Sequence, residues 1–147
     1  MLREMKIEDY ENVYKLWKSI KGFSLRSIDD SYEGIKKFIN RNPGTSVVYE
    51  SDGKIIGSIL CGHDGRRGYL YHVCVAEETR MQGVGKEMVK FCTEALKREG
   101  ITKMALFAFR HNTIGNTFWE KIGWEKCDNI NTYDFTLNND NIMEINP

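Results

Sequence analysis

Apolar and polar positions change their spacing several times along this chain, and each change marks a predicted element. From Ile7 to Ile20 the apolar side chains fall at Tyr10, Val13, Tyr14, Trp17 and Ile20, one stripe at helical spacing. Ile35, Phe38 and Ile39 form a second stripe, in a helix predicted to begin after Ser27 or Asp29 and to stop at Asn42-Pro43-Gly44. Val47-Val48-Tyr49 and the run from Ile55 to Leu60 then flank Ser51-Asp52-Gly53-Lys54. Asp-Gly between β-prone runs predicts a tight hairpin. A second turn, His63-Asp64-Gly65-Arg66-Arg67-Gly68, leads into the strand Tyr69 to Val75, which completes an antiparallel meander.

Helical spacing returns from Gly83 to Arg98, with Val84, Met88, Cys92, Ala95 and Leu96 apolar and Gly100 as the stop. Met104 to Phe109 is an unbroken apolar run, expected of a buried central strand. Asn112 to Ile122 predicts another helix, closed by Gly123. Trp124 to Cys127 and Tyr133 to Leu137 are expected as closing strands, Met1 to Met5 as a short first strand, and Asn138 to Pro147 as mostly irregular. The order β-α-α-β-β-β-α-β-α-β-β predicts a mixed α/β (or α+β) fold, without a repeat of 20–50 residues.

Composition narrows the classes. The chain has 147 residues, within the usual size of one domain, so residues 1–147 are expected to form a single domain. Lys and Arg number 21 and Asp and Glu number 21. That balance argues against a protein held mainly on a phosphate backbone, so nucleic acid is not an expected partner. No stretch approaches the ~20 apolar residues a membrane helix needs, and the charged start Met1-Leu2-Arg3-Glu4-Met5-Lys6 lacks a signal-peptide core. Cys61, Cys74, Cys92 and Cys127 stand singly, as reduced thiols would in the cytoplasm. His72 with Cys74 has no matching pair elsewhere, so no metal is expected.

The segment that carries chemistry is Arg80-Met81-Gln82-Gly83-Val84-Gly85-Lys86, between a strand and the longest helix. A helix N-terminus offers unpaired N–H groups and the positive end of its dipole. Glycines let a phosphate approach the backbone closely. Strand, glycine turn and helix therefore suit a pyrophosphate. The dinucleotide fingerprint fails because Met88 stands where its third glycine belongs. The Walker loop fails because Arg80 stands at its first glycine and Glu87 at its hydroxyl position.

R/Q-x-x-G-x-G/A after a strand does match, with Arg80, Gly83 and Gly85 at its fixed positions. It resembles the acyl-CoA loop of the GNAT (GCN5-related N-acetyltransferase) superfamily. Val73-Cys74-Val75 looks like the strand stretch that precedes that loop. Asn112 with Phe118-Trp119-Glu120-Lys121-Ile122-Gly123-Trp124 is similar to the family's N-x-x-A-x-x-F-Y-x-x-x-G-F segment, with Gly115 at the alanine. The element order matches over nearly the whole chain.

The resemblance implies a GNAT-type domain, with a mixed, mostly antiparallel sheet splayed in the middle and flanked by about four helices. It implies an acyltransferase enzyme that moves an acetyl (acyl) group from acetyl-CoA directly to an amine of a small molecule or protein N-terminus. Amides around Gln82, Gly83, Val84, Gly85 and Lys86, beside Arg80 and Met81, would hold the CoA pyrophosphate. Val73, Cys74 and Val75 would pair with the pantetheine arm like an added strand, and an amide there would polarise the thioester carbonyl. Asn112 and Trp119 would line the same cofactor.

Two departures leave roles open. The family often has a Tyr poised to protonate the leaving thiolate; here that position is Trp119, and an indole N–H is no usable acid. Another group or solvent would supply the proton, or the protein is a non-catalytic acyl-CoA-binding module. A nucleotide-binding domain of another fold is a third reading. Strand alternation puts Tyr69, Tyr71, Val73 and Val75 on one face and Leu70, His72 and Cys74 on the other, and a bulge would flip part of that parity. Tyr71 is the first candidate for handling a proton and His72 the second; a base acting through waters is the alternative. In the Asp64–Gly68 turn, Asp64 would draw a cationic amine or Arg67 an anionic group, although Asp-Gly also simply makes a tight turn. Fold analogy adds Arg26 to the same pocket. A homodimer is also open, because the tail could exchange or cap an edge strand.

Overall fold

The computed structural model describes residues 1–147. Its strands are β1 (Leu2–Glu4), β2 (Ser24–Arg26), β3 (Val47–Ser51), β4 (Lys54–His63), β5 (Gly68–Val75), β6 (Met104–Leu106) and β7 (Met143–Ile145). Its helices are α1 (Tyr10–Ser19), α2 (Tyr32–Arg41), α3 (Val84–Arg98) and α4 (Thr113–Lys121). The main sheet runs β1-β3-β4-β5-β6, antiparallel except for the parallel pair β5 and β6. The expected mixed, mostly antiparallel sheet with four helices is what forms.

Local chemistry explains the elements. Ser31 caps α2, its hydroxyl accepting from the Gly34 amide at 3.0 Å. Asp52 and Gly53 both take positive φ, 51° and 74°, the conformation of the two-residue turn that matches strand twist. Trp17, Ile59 and Met88 are fully buried in the core. Trp17 on α1 donates its indole N–H to Ser58 on β4 at 3.1 Å, which satisfies a polar group that burial would otherwise penalise. α1 and α2 thus cover one face of the sheet. α3 covers the other, where Met88 and Leu96 pack over Gly57 and Gly68.

Two features of β5 place the site. First, β6 pairs with it only from Gly68 to Leu70, while β5 runs on to Val75. The parallel strands part there, and the edge from Tyr71 to Val75 has no strand beside it. Secondly, Ser58 pairs with Cys74 and Leu60 with Tyr71, so two steps on β4 face three on β5. The extra residue is a bulge, and His72 takes φ of 51° in it. The bulge brings Tyr71, His72 and Cys74 to the α1–α2 face instead of separating them.

Several expectations are corrected. The strand over Met104 to Phe109 ends at Leu106, and β6 is a half-buried edge strand, not a buried central one. Trp124 to Cys127 and Tyr133 to Leu137 form no strands; every residue from Glu125 to Asp140 is exposed. The tail from Asn138 to Pro147 is mostly irregular as expected, but it includes β7, which pairs antiparallel with β2 in a separate two-stranded sheet. Asn146 fastens that end, donating to the carbonyls of Trp17 and Ile20, each at 2.8 Å. Three-residue strands are too short for a period of two to announce them. No helix is long and apolar enough to cross a membrane.

Candidate active site

β5 ends at Val75, a short 3-10 turn (Glu77–Thr79) follows, and the chain reaches Arg80. The Arg80 side chain turns back, its Nε donating to the Val75 carbonyl at 3.2 Å. This clip ties the loop to the strand. Met81 and Gly83 then take φ of 65° and 83°. Gly83 opens α3 without any side-chain cap, and a Cβ there would meet nothing within 4 Å. Its glycine therefore answers the backbone conformation and leaves open space in front of the helix. The first helical bond is Glu87 N–H to the Gly83 carbonyl at 3.1 Å. The amides of Val84, Gly85 and Lys86 precede it, and no side chain or carbonyl takes them. They point their dipoles out of the fold beside the exposed side chains of Gln82 and Lys86.

Gly85 has a different reason. A Cβ there would lie 3.2 Å from the Phe118 ring and 3.8 Å from Val75. This glycine lets α4 close on α3 and joins three elements at one point. Trp119 lies in a partly buried cluster with Phe118 and Trp124, at ring separations of 5.0 and 4.7 Å. Asn112 caps α4, its Oδ1 accepting from the Gly115 amide at 3.1 Å. A methyl at Gly115 would fall 2.5 Å from the Asn112 amide nitrogen, so it would shift the side chain that caps α4.

Cys74 contributes backbone to the strand end, not chemistry. Its sulfur is buried 3.4 Å from the Ser58 hydroxyl, and burial pushes its thiol up to about 11. It is a neutral thiol at physiological pH and no nucleophile.

The acceptor candidates fall into two groups. Tyr71 is 44% exposed, edge-on to Phe38 at 5.9 Å and near Tyr69 at 6.4 Å; Tyr69 stacks in turn on Phe107 at 6.5 Å. Partial burial, then Tyr69 and the carboxylates of Asp29 and Asp64, hold the Tyr71 phenol above its ordinary 10.0. It is a hydrogen-bond donor across neutral pH, not a base. Asp64 accepts the amides of Arg66 and Arg67 at 2.8 Å each, and those two bonds hold its carboxyl below the ordinary range. Arg67 is half-buried in the same turn. His72 and Arg26 are held elsewhere. The His72 Nε2 meets Asp30 at 2.6 Å, and its ring packs on Trp17 and Phe23 at 4.8 and 4.9 Å. Arg26 donates to the Asn141 carbonyl at 3.3 Å in the C-terminal tail.

Asp30 escaped the sequence reading. It is 6% exposed and binds His72 with one oxygen and the Arg26 amide with the other, at 2.7 Å. Its carbonyl accepts from the Tyr10 hydroxyl at 2.7 Å. An aspartate between two elements carries no periodic signal, so only contacts reveal it.

Comparison with known proteins agrees with this geometry. The family model described as "Acetyltransferase (GNAT) family" matches residues 10–124. The chain is 29% identical over 129 residues to the acetyltransferase ECA0875 of Pectobacterium atrosepticum, covering 88% of this chain and 90% of the relative. It is 28% identical over 129 residues to the acetyltransferase SG1711 of Sodalis glossinidius, covering 88% and 89%. Among solved structures, the PaiA N-acetyltransferase of Thermoplasma acidophilum in complex with coenzyme A superposes with a TM-score of 0.75 at 17% identity, over 99% of this chain and 97% of that one.

Proposed function

Because the chain belongs to the acetyltransferase (GNAT) family, it is an acetyltransferase that draws its acetyl group from acetyl-CoA, and we propose that the opening of α3 and the free edge of β5 are where it holds that cofactor. One observation carries the proposal. The clipped Arg80–Lys86 loop presents three unpaired amides at a helix start, directly beyond a strand edge with no partner. Amides and helix dipole suit a pyrophosphate. The edge of Val73, Cys74 and Val75 suits the amide-bearing pantetheine arm, which pairs as a strand would. In this reading Asn112 and Trp119 would line the cofactor from the α4 side.

In the reaction proposed, the acceptor nitrogen attacks the thioester carbonyl carbon and the C–S bond breaks. The backbone of β5 donates to the carbonyl oxygen as charge builds there. The acceptor amine gives up its proton to solvent, and the departing thiolate takes one from solvent. Trp119 cannot serve as that acid, and the phenol of Tyr71, favoured in its neutral form, does not serve as the base. Tyr71 instead donates a hydrogen bond that orients the acceptor, and catalysis is mostly positioning. A neutral Cys74 supports direct transfer over an acyl-enzyme.

The acceptor is an amine of a small molecule or a protein N-terminus, which would enter over Tyr71 and its aromatic neighbours. Asp64 supplies negative potential there, whereas the fixed Arg26 and His72 act as structure. Residues 1–147 work as one domain. The balanced charge and free thiols fit a cytoplasmic enzyme whose partners are acetyl-CoA and the amine. An amine panel scored by thiol release tests this. Turnover that needs both acetyl-CoA and an amine, and that is lost in Gly83→Glu, is expected; full turnover in that variant contradicts the cofactor site.

A further inference from the structure

His72 and Val73 are the only residues of β5 without a paired residue in the sheet. β4 pairs with Tyr71 before them and with Cys74 after them, and β6 pairs no further than Leu70. Yet His72 keeps a φ of 51°. That left-handed conformation costs a residue with a side chain free energy, and it persists only where the surroundings impose it. The strand ladder does not impose it here; the His72 side chain does. Its Nε2 donates to the Asp30 carboxylate at 2.6 Å, and its ring packs on Trp17 and Phe23. Trp17 in turn donates to Ser58, whose hydroxyl lies 3.4 Å from the Cys74 sulfur on the far side of the bulge. Asp30 has little freedom of its own. Its second oxygen accepts the Arg26 amide at 2.7 Å, its own amide donates to the Arg26 carbonyl at 3.0 Å, and its carbonyl accepts the Tyr10 hydroxyl at 2.7 Å. The carboxylate that grips the bulge is therefore fastened to both β2 and α1.

We propose that Asp30 is a positioning residue of the acetyl transfer. Through His72 it fixes the bulge, and with it the β5 amide that donates to the thioester carbonyl and the Tyr71 phenol that orients the acceptor. Asp30 acts through the backbone and not on the substrates. A donor set in place before the reaction costs no reorganisation when charge develops, and a small misplacement of such a group slows the chemistry without weakening remote binding. This role rests on the reading that the β5 backbone polarises the thioester, and the unaltered chain tests that reading separately.

Infrared spectroscopy of acetyl-CoA isotopically labelled at its thioester carbonyl reads the polarising bond directly. On the unaltered chain the carbonyl stretch should lie below its frequency in water. Asp30→Ala should lose at least half of that downshift, while affinity for coenzyme A, which lacks the thioester, stays unchanged. Asp30→Asn is the rescue. Its oxygen still accepts the Arg26 amide, and its NH2 donates to His72 Nε2 once the imidazole proton moves to Nδ1, so the downshift should return. His72→Asn covers a failure of Asp30→Ala to fold. Asparagine tolerates the left-handed φ but is too short to reach Asp30, so the downshift should fall there too. With the amine of the panel that turns over fastest, kcat should fall about tenfold in Asp30→Ala and recover in Asp30→Asn. Two results would overturn the proposal: Asp30→Ala and His72→Asn lowering only the melting temperature, with downshift and kcat intact, or Asp30→Asn losing as much as Asp30→Ala. A carbonyl at its aqueous frequency on the unaltered chain would overturn the underlying reading along with it.

Discussion

The two ends of β5 are made of different materials. At the Val75 end the groups proposed to work are backbone: amides of Val84, Gly85 and Lys86, a free strand edge, and a loop clipped by Arg80. At the Tyr71 end they are side chains: the phenols of Tyr71 and Tyr69, the rings of Phe38 and Phe107, and the carboxylates of Asp29 and Asp64 nearby. A backbone site is specified by which residues permit a conformation. A side-chain site is specified by which groups happen to converge. The first leaves a mark in spacing and the second leaves little, which is why the cofactor class is plain here and the acceptor is open.

Substitutions can break this contrast, starting with the largest effect. Gly83→Glu puts a carboxylate into the open space before α3, at a φ of 83°. Acetyl-CoA affinity by calorimetry should fall at least 100-fold, about 2.8 kcal/mol. Gly85→Val is a packing test at the same end. Its side chain would press on Phe118 from 3.2 Å, and overpacking of this kind costs about 1–3 kcal/mol. The expected readout is a drop of several degrees in melting temperature, together with weaker acetyl-CoA binding.

The Tyr71 end should respond differently. Tyr71→Phe keeps the ring and removes the donor, so kcat/KM for the acceptor should fall about tenfold, roughly 1.4 kcal/mol, with the acetyl-CoA dissociation constant unchanged. The smallest effect is in pH. The Tyr71 phenol is held above 10.0, so its neutral form is favoured by folding. That contribution is whole below 10.0 and is lost only as pH rises through the higher folded value. Tyr71 fluorescence or ultraviolet titration should therefore show ionisation later than in a free phenol. Binding by backbone amides has no titrating protein group and should stay level from neutrality to that range.

Spacing made some of the fold legible. Asp52-Gly53 forced its turn, apolar stripes located α1 and α3, and the glycines marked the corner proposed to bind the pyrophosphate. Even the bulge in β5 could be anticipated as a way to change parity, though not the φ of 51° at His72 or its bond to Asp30. Other parts were hidden for physical reasons. β2 and β7 have three residues each and meet across most of the chain, so neither period nor proximity announces them. Gly85 was read as a glycine for a phosphate, and the structure adds a second reason, the Phe118 ring of another helix 3.2 Å from where its Cβ would lie. Tyr133–Leu137 alternates as a strand would, yet it makes no backbone hydrogen bond in its own chain and forms no strand.

The central claim is that backbone amides at the opening of α3 and the edge of β5 hold acetyl-CoA. Amide resonances of the assigned protein, followed during titration with acetyl-CoA, test it directly. The account predicts the largest shifts at Gly83 through Lys86 and at Val73 through Val75, with little change at Asp64 through Arg67. Saturable binding whose shifts leave the α3 amides unmoved would contradict it.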